Sequence, residues 1–166
     1  MSSKAILSLP RRSALLGALL LAGCGFAPVY APTGGGSKLQ GKIAFALGED
    51  RFDYRLREQL ERRLGRTELE AYRLAVITEV TESPVAIASD NTATRINLPA
   101  TAHYTLSDAA GGTIAQGTVQ TFTSYSATGT SIATRSTKQA AEDRLAAMVA
   151  DLVVARILAE AGHITE

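Results

Sequence analysis

The sequence predicts an α+β domain: two helices packed on a four-stranded, mostly antiparallel sheet, in the order β-α-β-β-β-α. Three observations carry that prediction. Residues alternate with period two over 94–106, with Thr94, Ile96, Leu98, Ala100, Ala102, Tyr104 and Leu106 on one side and Arg95, Asn97, Thr101, His103 and Thr105 on the other, the pattern of a half-buried strand. Over residues 51–64 the period lengthens, and Phe52, Leu56, Leu60 and Leu64 recur every fourth residue as the apolar stripe of a helix. Finally, Ser107-Asp108-Ala109-Ala110-Gly111-Gly112 is a turn too short for a crossover, so the strands on either side of it pair antiparallel.

In chain order, the first strand is Lys42 to Leu47, with Ile43, Phe45 and Leu47 on one face. Asp50 caps the helix that follows, Asp53 lies at its positive end, and Gly65 stops it. Between its apolar positions stand Arg55, Arg57, Glu58, Glu61, Arg62 and Arg63, a solvated helix face first and a contact for an anionic partner as the other reading. Tyr72 to Glu82 alternates as the second strand and breaks at Ser83-Pro84. Pro99 interrupts the polar side of the third strand, which implies an edge position or a bulge, because proline cannot donate to the ladder. Thr113 to Tyr125 is the fourth strand, its register blurred by Gly117. Residues 126–135, S-A-T-G-T-S-I-A-T-R, read as a polar loop. The final helix then starts at Ser136 or Thr137 and stops at Gly162, with a stripe of Ala141, Leu145, Met148, Val149, Leu152 and Ile157. Only Arg156 is charged from Leu152 to Ala159, so broad burial is expected there.

Ahead of the domain lies a leader of different character. Lys4, Arg11 and Arg12 precede the apolar run Leu15 to Ala22, which ends at Gly23 and at Cys24, the single cysteine. Charge, then an apolar run, then small residues is the plan of a secretory signal peptide, and the run is short of the roughly 20 residues that span a bilayer. Residues 1–23 are therefore expected to be a signal peptide, residues 24–38 a tether with Pro28, Pro32 and a glycine run, and residues 39–166 a single domain. Without the leader the chain carries 14 basic against 16 acidic residues. Such a balance makes no electrostatic case for nucleic acid.

The residues of common chemistries are scarce. Two histidines, His103 and His163, do not make a metal site when the one cysteine is otherwise engaged. His103 lies on the polar face of a strand and His163 at a helix end, neither beside a nucleophile of a triad. The triple glycine lies in the tether rather than between a strand and a helix, so it is no phosphate loop. No acid–base pair of carboxylates stands out. No cofactor and no catalysis are expected.

Leu21-Ala22-Gly23-Cys24 resembles the lipobox of bacterial lipoproteins. The resemblance implies diacylglyceryl transfer to Cys24, cleavage after Gly23 and acylation of the new terminus. Several acyl chains hold a membrane stably where one does so only marginally; an ordinary signal peptide with an incidental cysteine is the other reading. Cys24-Gly25-Phe26-Ala27-Pro28-Val29-Tyr30, Tyr54-Arg55-Leu56 with Leu60, Ala102-His103-Tyr104-Thr105-Leu106, Ser124-Tyr125 and Gln139-Ala140-Ala141-Glu142 are together similar to the LptE family of lipopolysaccharide-assembly lipoproteins. That resemblance implies a non-enzymatic, lipid-anchored protein on the periplasmic side of the outer membrane. It would plug an LptD-like outer-membrane β-barrel and bind lipopolysaccharide during its insertion into the outer leaflet.

The family's lipid-binding region has basic residues on loops at one end of the sheet, and Arg135, Arg95 and Lys138 are the candidates here. An arginine can grip a phosphate bidentately, and the competing reading of Arg135 is a solvated charge at a helix start. The 126–135 segment departs from the family pattern in being rich in threonine and serine rather than charge. An auxiliary lipoprotein of an ABC-type lipid transporter is the alternative function.

Overall fold

The computed structural model describes residues 35–87 and 93–161. The leader, Cys24, most of the tether, Gly162 and His163 lie outside the described residues.

The elements are α1 (Gly35–Leu39), β1 (Ile43–Ala46), α2 (Arg51–Leu64), β2 (Tyr72–Val80), β3 (Ser83–Ile87), β4 (Ala93–Asp108), β5 (Thr113–Ser126) and α3 (Ser131–Ala161). The expected α+β class is what forms: helices on one face of a sheet. The sheet is mixed and has five strands, with β1 parallel to β2 and the other pairings antiparallel.

The fifth strand comes from a segment that the sequence reading ended at Ser83-Pro84. Val80 pairs with Ala100 and Ser83 with Asn97, so β2 and β3 follow one register along the same edge of β4, interrupted at Thr81–Glu82. Pro99 explains the interruption. Its carbonyl accepts from the Thr81 N–H at 3.2 Å, so its nitrogen points to that same edge. The missing donor therefore falls at the joint between β2 and β3. Pro99 sits mid-strand in the central strand of the sheet, where the expectation was an edge or a bulge.

The other local predictions follow their residues. Asp50 caps α2 by accepting from the Asp53 N–H at 2.8 Å, and Gly65 ends the helix at φ +82°, a conformation that favours glycine. Phe52, Leu56, Leu60 and Leu64 are all buried, each contributing roughly 1.5–3 kcal/mol by burial. In the β4–β5 turn the Asp108 carboxylate accepts from the Ala110 and Gly112 N–H groups at 2.9 and 2.8 Å. Gly117 pairs with Tyr104, and a Cβ there would lie 2.8 Å from the Tyr104 hydroxyl. The glycine makes room for a buried ring.

Two termini differ from expectation. Gly35 and Gly36, read as flexible tether, belong to α1, which seats Leu39 in the core with no exposed surface. α3 begins at Ser131, five residues before Ser136. Thr130 caps it by accepting from the Ala133 N–H at 3.3 Å, and Thr134 and Thr137 donate to the Ala127 and Ser126 carbonyls. The hydroxyls that made the segment look like a loop tie the first turns of the helix to the end of β5.

The core lies between the sheet and the helix layer. Leu74, Val76, Leu98, Ala100, Ala102, Tyr104, Leu106, Ala115 and Val119 meet Leu56, Leu60, Ala141, Leu145, Val149, Val153 and Ile157. In the expected α3 stripe, Met148 and Leu152 remain 39% and 38% exposed, while Ala146, Ala150 and Val154 are buried instead. The reason is the neighbour: α3 lies against α2 as well as β5, which turns the buried arc toward α2. Arg55 pairs with Asp143 at 3.3 Å, and Arg63 with Asp151 at 2.5 Å, so the two helices run side by side in the same direction. The opposite face of the sheet carries no helix among the described residues and shows Ile77, His103, Gln120 and Phe122 to solvent.

Candidate functional site

Because α2 and α3 run parallel, the start of α2 lies beside the opening turns of α3 at one end of the sheet. A groove of about 710 Å³ lies there, lined by Arg51, Gly129, Ser131, Thr134, Arg135, Lys138, Gln139 and Glu142. Its lining holds three cations and one carboxylate.

The three cations are not equivalent. Lys138 is held by Glu82 and lies 3.9 Å from Glu142, and the Tyr125 hydroxyl donates to the other Glu82 oxygen at 3.0 Å. The Lys138 hydrogen bond, with help from Tyr125, holds the Glu82 carboxyl below its usual range, and Glu82 in turn raises the Lys138 ammonium. Burial, then Glu82, pushes the Tyr125 phenol up. This network spends the Lys138 charge internally. Arg51 and Arg135 are exposed, and among the described residues neither takes part in an ion pair. They are the groove's available cations.

Arg135 therefore sits in the second turn of α3 rather than on a loop, beside Lys138. Arg95 is at the same end but on the helix-free face of the sheet. It donates to the Ser124 hydroxyl through Nε at 3.2 Å and Nη2 at 2.8 Å, and it lines a separate hollow of about 290 Å³ with Thr94, Ser124, Tyr125 and Ser126. The three candidates thus divide into a pair in one groove and one across the sheet. Arg51 and Glu82 were missed from sequence. They meet α3 only through long-range packing, and no local spacing marks them; of the residues quoted for the family resemblance, Tyr125 and Glu142 touch this network.

On the helix-free face a second groove of about 540 Å³ is lined by Ser83, Asn97, Pro99, Thr101, Gln120 and Phe122, among others. His103 lies on this face, its Nδ1 2.9 Å from the Thr118 hydroxyl. Among the described residues no three His, Cys, Asp or Glu side chains are grouped to hold a metal ion, and no helix is long and apolar enough to cross a membrane.

Fold and grooves together define a small two-layer α+β domain with one helix-covered face and one open sheet face, the architecture of several bacterial lipoproteins. A candidate lipoprotein of Caulobacter crescentus CB15 matches with 27% identity and a TM-score of 0.62, covering 75% of this chain and 93% of that one. Rare lipoprotein B of Shewanella oneidensis matches at 13% identity and TM-score 0.52, over 71% and 91% of the two chains. A minor lipoprotein of Acinetobacter baumannii matches at 15% and 0.52, over 72% and 91%. These last two share the fold. No curated protein matches the sequence.

The model of the LptE family, described as lipopolysaccharide-assembly, matches residues 40–157, and the chain belongs to that family. Membership gives it a role in lipopolysaccharide assembly and an association with the outer membrane.

Proposed function

We propose that this protein is the lipid-anchored partner of an LptD-like outer-membrane β-barrel, sitting in its lumen from the periplasmic side, held by acylated Cys24, and binding lipopolysaccharide during insertion into the outer leaflet. The observation that carries the reading is the family match across residues 40–157. The open sheet face, rich in threonine, serine and glutamine, suits a wedge standing in a wet barrel lumen.

For the glycolipid, the reading rests on the groove between the helix starts. Arg135 and Arg51 present unspent guanidinium groups there, and a guanidinium binds a phosphate through two parallel hydrogen bonds. Lys138 contributes less, because Glu82 already engages it, and Arg95 is a separate contact on the other face. Binding is electrostatic recognition of a phosphorylated headgroup, with no bond made or broken.

The test is binding of the purified protein to lipopolysaccharide and to neutral phospholipid vesicles. Arg135→Glu is expected to weaken lipopolysaccharide binding about five- to tenfold, the loss of one charge-assisted contact, and to leave the melting temperature unchanged. Lys138→Gln is expected to weaken it less. Equal affinity of Arg135→Glu and the wild type removes Arg135 from the site.

A further inference from the structure

The outer edge of β5 is an open hydrogen-bonding ladder. Pro99 pairs with Phe122, and the Pro99 backbone points to the opposite edge, as its bond from Thr81 shows. Phe122 therefore turns its own N–H and C=O away from β4. The same parity turns out Gln116, Thr118, Gln120 and Ser124. Two contacts confirm the direction: Arg144 Nη2 donates to the Ser124 carbonyl at 3.4 Å, and the Thr137 hydroxyl to the Ser126 carbonyl at 3.0 Å. α3 thus covers the last residues of the edge, while from Gln116 to Phe122 the described residues supply no strand or side chain to it.

Proteins blunt such edges with lysine, proline or inward charges. Thr113–Ser126 contains no charged residue and no proline. Beside the edge, on the flank of α3 bounded by Arg144 and Arg156, helical spacing places Met148, Leu152, Ala155 and Ala159, and Met148 and Leu152 are 39% and 38% exposed. A strand added here would lay alternate side chains against this apolar ledge and the others beside Gln116, Thr118, Gln120 and the 63% exposed Phe122.

We infer that β5 is a docking edge for an extended, uncharged segment of a partner polypeptide in which apolar and polar residues alternate. A second copy of this chain fits poorly. Paired strands lie about 4.8 Å apart, whereas packed helices need about 8–10 Å, and each copy would bring its own α3, which lies over β5. The inference rests on the barrel-partner reading and deepens it. Wall strands of a closed barrel are already paired on both sides, so the segment is a lumenal loop or terminal stretch of the barrel protein.

The experiment places a photo-crosslinking residue at Gln120 in the full-length protein co-expressed with the barrel, with the same residue at Ile77 as a control on the open face. Products are identified by mass spectrometry, and Gln120→Pro is scored for co-purified barrel in parallel. Proline at 120 deletes only an outward N–H, so the β4–β5 ladder and the melting temperature are expected to persist. The expected result is a barrel crosslink at Gln120 that maps to a loop or terminal peptide, and about tenfold less barrel with Gln120→Pro. A barrel that co-purifies equally with Gln120→Pro and gives no crosslink at Gln120 overturns the docking edge and leaves the barrel partnership standing. A crosslink to a second copy of this chain also overturns it, and absence of any co-purifying barrel overturns both.

Discussion

Replacing Gly117 by alanine tests how the sheet accommodates the buried ring of Tyr104. The new Cβ would lie 2.8 Å from the Tyr104 hydroxyl, 3.0 Å from its Cζ and 3.1 Å from its Cε1. Tyr104 is 3% exposed and packs beneath α3, so its ring has little room to yield. Overpacking of this kind costs about 1–3 kcal/mol, and alanine recovers about 0.5–1 kcal/mol over glycine in a strand. The net is a loss of about 0.5–2 kcal/mol, or a melting temperature lower by roughly 2–8 °C for a domain of this size. Tyr104→Phe removes the closest of the three atoms, so Gly117→Ala should cost less in that background. Thermal melts followed by circular dichroism on the four proteins of the cycle give the coupling directly. If Gly117→Ala is neutral or stabilising, or costs the same with phenylalanine at 104, the packing argument is wrong.

Other predictions follow from the groove and the leader. Glu82, held below 4.5, contributes stability that is present above that value and lost as the pH falls through its lowered pKa. Lys138, raised above 10.5, contributes below that value and loses its contribution as the pH rises through its raised pKa. Both side chains are about two-fifths exposed, so the pair contributes about 0.5 kcal/mol. Glu82→Gln should lower the melting temperature by about 1–2 °C at pH 7 and by progressively less as the pH falls through the lowered Glu82 pKa, as scanning calorimetry over an acid pH series would show. His103→Ala should leave lipopolysaccharide binding and melting temperature unchanged, because its ring is exposed and, among the described residues, hydrogen-bonds to Thr118 alone; lost binding would place His103 in a site. Cys24→Ser should leave the precursor unacylated, which metabolic labelling with a radioactive fatty acid would detect.

Much of the architecture was legible because short-range chemistry determined it. Asp50 and Gly65 bound α2 through contacts within a few residues, and the β4–β5 hairpin follows from Asp108 and two glycines. What escaped depended on distant partners. Ser83-Pro84 looks like a strand break until Pro99, on the neighbouring strand, is seen to put its missing donor opposite Thr81–Glu82. The threonines at 130 and 134 read as loop chemistry because their partners, the Ala133 N–H that Thr130 accepts from and the Ala127 carbonyl that Thr134 donates to, belong to a helix start and to the end of β5.

The candidate groove was half legible for the same reason. Arg135 and Lys138 are three residues apart and fall together. Arg51 joins them only because α2 and α3 run parallel, and nothing near Lys138 in sequence tells that Glu82, 56 residues away, neutralises it. Arg95 belongs to the same end of the sheet, yet strand alternation sends it to the other face.

The central claim is partnership with a barrel, and affinity purification of the full-length protein extracted from membranes tests it most directly. The account predicts one outer-membrane β-barrel protein recovered in about equal amount, with lipopolysaccharide bound. Recovery of the subunits of an ABC-type lipid transporter, or of no barrel at all, would contradict it.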